Sequence, residues 1–80
     1  MGHTMRLEDQ KLLREVIWRR QPLLIPIIDA MGEAPLKEED REMIRNVLAD
    51  EFIETGLSGD DEPNERGIRL DNIIGLLMYY

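Results

Sequence analysis

The stretch that most restricts this chain is Gly56 to Asp71, GLSGDDEPNERGIRLD, with a helix-stop signal at one end and a helix-start signal at the other. Glycine ends helices because it adopts the left-handed conformation at no steric cost. Thr55-Gly56-Leu57 therefore reads as a Schellman stop, with Gly56 left-handed and Leu57 folded back onto Phe52. Pro63 and Asn64 suit the opening positions of the next helix. Between these signals stand Asp60, Asp61, Glu62 and Glu65, the densest charge in the chain. The expectation is a helix–loop–helix with an acidic corner.

Upstream, Thr4 can cap a first helix that runs to about Arg20. Leu13, Val16, Ile17 and, one turn later, Arg20 share one face. The helix must stop near Gln21-Pro22, since the residue before proline avoids the helical region and proline donates no hydrogen bond. Pro22 to Gly32 then reads as a short buried helix, in which Pro26 is the awkward residue. A strand is the poorer reading because two prolines sit four apart. Glu33 to Leu36 is a linker. The acids after Lys37 suit the positive end of a third helix, whose stripe is Ile44, Val47, Leu48 and Phe52. Arg41, Arg45, Asp50 and Glu54 lie off that stripe. The last helix carries Leu70, Ile73, Ile74, Leu77 and Met78 at helical spacing. Gly67 and Gly75 each cost it roughly 1 kcal/mol relative to alanine, which suggests close approach of another backbone at both.

The fold class is therefore all-α: one domain over residues 1–80, three main helices plus a short proline-framed one, with residues 1–4 expected to be disordered. Short connections favour antiparallel neighbours. The expected core is Leu13, Val16, Ile17, Leu24, Ile27, Ile28, Ile44, Val47, Leu48, Phe52, Leu57, Leu70, Ile73, Ile74 and Leu77. Eighty residues make a core that rarely supplies more than about 3–5 kcal/mol unaided. Because Ile25, Leu76 and Met78 extend the apolar surface beyond that core, a homodimer is expected.

Charge narrows the partners. The net charge is −7, and it is unevenly placed. Residues 1–27 hold five Lys/Arg against three acids, a net +2, and residues 28–80 hold five against fourteen, a net −9. A nucleic-acid binder needs a basic face for phosphates. The only basic cluster is Arg14, Arg19 and Arg20, and a helix-turn-helix reading would begin its recognition helix in DDEPNE. No nucleic-acid partner is expected on that ground. No apolar run approaches the ~18–20 residues of a membrane span, and charged residues interrupt any signal-peptide pattern. The expected compartment is the cytoplasm, and the absence of cysteine fits a reducing one.

No catalytic set stands out. His3 is the only histidine and Ser58 the only serine, so nothing activates a nucleophile. Asp60, Glu62, Asn64 and Asp71 fall at positions 1, 3, 5 and 12 of an EF-hand-like count. The sixth position, which needs glycine, is Glu65, and Pro63 stiffens the middle. A solvated loop that spaces two helices is the better reading, and no metal or cofactor is expected. Arg66 and Arg69 alternate with Glu65 and Asp71 and read as a solvated charge lattice. Trp18 beside Arg14 and Arg19 has the composition of a binding hot spot, although a tryptophan covering the rim of a small core is the plainer reading. Tyr79 and Tyr80 can pack over the bundle or complete a subunit interface.

The string Gly56-Leu57-x-x-Asp60-x-Glu62-Pro63-Asn64-x-x-Gly67-x-x-Leu70-Asp71-x-Ile73-Ile74 resembles a signature of short, uncharacterised bacterial helical proteins, over about the last third of the chain. In size, charge and helical content the chain is also similar to small acidic immunity proteins of toxin systems. Neither resemblance implies a catalytic residue. The reading is a non-enzymatic interaction protein that homo-oligomerises or docks on another protein. The rival is an inhibitor whose acidic cluster (Asp60, Asp61, Glu62, Glu65) steers it to a basic site.

Overall fold

The structure, a computed structural model, describes residues 5–80. Among the described residues four α-helices form: α1 (Leu7–Arg20), α2 (Ile25–Asp29), α3 (Glu38–Thr55) and α4 (Glu65–Leu76). Single 3-10 turns cover Pro22–Leu24 and Leu77–Tyr79. This is the expected all-α arrangement of three long helices and one short one.

Thr4, expected to cap α1, lies outside the described residues, as does the expectation of disorder over 1–4. The helix starts at Leu7, with extended Arg6 as its cap residue and Glu8 and Asp9 in its first turn. Carboxylates there favour the positive end of the helix dipole. Gln21 stops the helix in a non-helical conformation before Pro22. The 3-10 turn then redirects the chain, so that α2 restarts at Ile25 and Pro26 falls in its first turn. There a missing N–H leaves no helical bond unmade, which resolves the awkwardness of Pro26.

The α3–α4 corner differs from the expected Schellman stop. Gly56 is right-handed, with φ −95° and ψ −1°, and its N–H closes on the Phe52 carbonyl at 2.8 Å. Leu57 pairs across the loop with Pro63 and stays half-buried outside the apolar core. The left-handed residue of the loop is Asp61, at φ 65°. Gly56 is needed for its size instead. A Cβ there would lie 2.9 Å from the Gly67 Cα, and one on Gly67 would overlap the Gly56 carbonyl. The close approach expected at Gly67 thus exists. At Gly75 it does not, because nothing stands within 4 Å of where a Cβ would be. Eight residues of helix carry Gly75 about 12 Å along the axis from Gly67, away from the crossing. Asn64 seals the corner: its Oδ1 accepts from the Gly67 N–H at 2.8 Å, and its Nδ2 donates to the Thr55 carbonyl at 3.0 Å.

Arg66 of α4 reaches Glu15 of α1, and Arg69 reaches Asp9, so these two helices run antiparallel. The core joins Leu12, Leu13, Val16 and Ile17 of α1 to Leu24, Ile25, Ile44, Leu48, Leu70, Ile73, Leu77 and Met5. Each such side chain contributes on the order of 1.5–3 kcal/mol, so apolar burial is the main source of stability. Ile27, Ile28, Val47, Phe52 and Ile74 pack half-buried against this core. Ile25, expected on the surface, is only 8 % exposed. Met5 and Leu12 join the core without a sequence signal having marked them. Tyr80 ties three segments: its hydroxyl accepts from the Met5 N–H at 2.8 Å, and its carbonyl accepts from the Leu36 N–H at 2.6 Å.

Candidate functional site

A fully buried carboxylate and a set of exposed large apolar side chains, Trp18 among them, stand apart from the apolar core. The carboxylate is Glu51, one turn from the end of α3 and fully buried. It falls on the core stripe, three residues beyond Leu48 and seven beyond Ile44, so the helix itself turns the side chain inward. Three arginines converge on it. Arg20 Nε and Arg19 Nη2 donate from the end of α1, the latter at 3.2 Å, and Arg66 Nη2 donates from α4 at 2.9 Å. Thr55 Oγ1 adds a fourth bond at 2.8 Å.

Burial alone would push the Glu51 carboxyl upward. The bonds from Arg20, Arg66, Thr55 and Arg19 outweigh it and hold the group down at about 2. Arg20 also pairs with Glu54 at 2.9 Å, and hydrogen bonds to Glu54 and Glu51 raise its pKa above the ordinary arginine value. Glu15 approaches both Arg19 and Arg66 at 3.6 Å. Three arginines thus meet three carboxylates. The cluster is charge-balanced, with Glu51 buried at its centre and Glu15 and Glu54 at its exposed edge. Its role is to join α1, α3 and α4.

A second, smaller clamp repeats the device. Asp9 is 5 % exposed and accepts from Arg69 Nε at 3.2 Å, while Arg69 Nη2 donates to the Glu8 carbonyl at 2.9 Å. Arg66 and Arg69 are therefore structural clamps, correcting their reading as a solvated lattice. Alternation in sequence hid this, because their partners lie on other helices. Arg41 is engaged too, donating to the Leu77 carbonyl at 3.0 Å.

The acidic loop is solvated. Asp60, Asp61, Glu62 and Glu65 are all exposed. The Ser58 hydroxyl donates to Asp60 Oδ1 at 2.7 Å, and this bond lowers the Asp60 pKa. Asn64 is committed to its cap, and no metal-holding group of three acids forms among the described residues. The positions of the EF-hand-like count are not brought together.

Trp18 is 63 % exposed, which corrects its reading as a cover for the core rim. The buried face of α1 is Leu12, Leu13, Val16 and Ile17, and Trp18 turns about 100° past the last of them. Leu23, on the turn that follows, is 84 % exposed. Arg14, one turn before Trp18 on the same face, pairs with Asp29 of α2 at 3.2 Å. Arg19, grouped with Trp18 in the sequence, instead points its guanidinium to Glu51. At the other end Met78 and Tyr79 are exposed, whereas Tyr80 is half-buried and tied down. No helix of the described residues is long and apolar enough to cross a membrane.

In comparisons with known proteins, no family model, no curated protein and no solved structure matches the chain.

Proposed function

We propose that this chain is a non-enzymatic protein–protein interaction module that self-associates as a homodimer. The observation that carries the reading is the contrast between its two outlying features. The buried carboxylate has every bond it needs, while the only tryptophan and Leu23 stand 63 % and 84 % in solvent. Tryptophan is among the residues most enriched in binding hot spots, and removing its ring from water is worth far more than any rim charge. Sedimentation equilibrium over a range of protein concentrations, at low and high salt, tests this. A dimer mass that salt leaves unchanged is expected, because burial of apolar surface is not screened. A monomer mass at every concentration would end the homodimer reading.

One observation favours a second reading. Seven of the eight arginines pair with carboxylates, and Arg41 holds backbone carbonyls. Eleven of the seventeen acids, among them Asp60, Asp61, Glu62 and Glu65, form no ion pair with a described residue. The surface left over for other molecules is acidic. That suits an inhibitor or immunity-type protein masking a basic site, and its association would slow steeply as salt rises.

A further inference from the structure

A cleft of about 330 Å³ opens between α1, α2 and the C-terminal residue, lined by Met5, Leu13, Ile28, Met31 and Tyr80 with Arg14 and Asp29 beside them. Met5 and Leu13 are almost fully buried and form its floor. The Arg14 and Asp29 side chains are about half exposed and stand at its mouth. The volume lies at the lower limit of the ~300–1,000 Å³ range of small-molecule pockets, a size suited to one large side chain. Two methionines make the lining adaptable to a ring.

The same face carries a matching knob. Trp18 follows Arg14 by four residues on α1, so the indole projects one turn from the cleft's mouth. A knob and a socket side by side on one surface meet the requirement of an isologous contact, in which a two-fold axis between them seats each knob in the other copy's socket. Charge permits contact at the same face. Arg14 and Asp29 at the mouth pair with each other, so two copies can meet there without uncompensated like charge, whereas the exposed acids Asp60, Asp61 and Glu62 of two copies would repel one another.

We infer that two copies of this chain pack α1 to α1, with the Trp18 indole of each seated in the α1–α2 cleft of the other. This rests on the self-association proposed above. The Arg14 guanidinium at the mouth can then lie over the incoming ring, and Leu23 adds apolar area beside it.

Because the chain has one tryptophan, its emission reports the contact directly. Dilution of the wild-type protein through its dissociation range should shift the emission from blue to red as sedimentation shows the mass halving. Trp18→Ala removes an exposed side chain and leaves the fold intact. It should raise the dimer Kd at least ~30-fold, the effect of losing a hot spot of about 2 kcal/mol, and Trp18→Phe should recover part of that loss. A dimer whose Kd is the same in Trp18→Ala, with emission unmoved by dilution in the wild type, would overturn this interface and leave self-association standing. A wild-type chain that is monomeric throughout would overturn both.

Discussion

Replacing Glu51 by alanine removes the one group on which α1, α3 and α4 converge through charge. The carboxylate is fully buried and accepts from Arg19, Arg20, Arg66 and Thr55. Deleting one side of a buried ion pair costs about 3–5 kcal/mol when the other side is trapped. Here the side chains of Arg19, Arg20 and Arg66 are 49 %, 24 % and 33 % exposed, so they can partly rehydrate, and about 2–4 kcal/mol is expected. That loss is a large share of the roughly 3–5 kcal/mol that a core of this size supplies, so the variant is compared with the wild type by urea unfolding at low temperature. The pH dependence isolates the charge. Folded Glu51 titrates at about 2 and the unfolded group near 4.5, so the unfolded chain binds the proton more readily between those values. The group's contribution is complete above about pH 5 and lost as pH falls through about 2. The stability difference between wild type and Glu51→Gln should therefore be largest near neutrality and shrink steadily toward pH 2. A loss below about 1 kcal/mol in Glu51→Ala, or a difference that is flat with pH, would refute the reasoning.

Three other substitutions test the corner and α4. Gly67→Ala would press a methyl into the Gly56 carbonyl, backbone against backbone, and should cost about 3 kcal/mol or more, seen as a fall in Tm beyond ~10 °C. Gly75→Ala meets nothing within 4 Å and should stabilise by about 0.5–1 kcal/mol in the same melt. Asn64→Ala loses the Gly67 and Thr55 bonds and should cost about 1–2 kcal/mol, with α4's first amides losing hydrogen-exchange protection.

Helix positions were legible in the sequence because prolines and glycines punctuate them and apolar residues recur at helical spacing. The stripes on α3 and α4 led directly to Ile44, Leu48, Leu70, Ile73 and Leu77. The charged interior was not legible as such, although its position was. Glu51 stands on the α3 stripe and Arg20 on the α1 stripe, so an acid and a base at buried phases of two helices were the available signal. Charged side chains are seldom fully buried unless paired, and the partners of Glu51 lie on other helices, out of reach of any local pattern. Gly56 shows a different gap. Its residue type fits a left-handed stop and a close crossing equally well, and only the position of Gly67 in space selects the second. Trp18 fits a core rim and an open surface equally well by residue type, and only its position off the buried face of α1 selects the second.

The most direct test of that account is a dilution series followed by backbone amide chemical shifts. If the chain works by self-association through α1 and α2, the amides around Arg14, Trp18, Leu23 and Met31 should move together with concentration, while those of Asp60, Asp61 and Glu62 stay fixed. Shifts confined to the acidic loop, or none at any concentration, would contradict it.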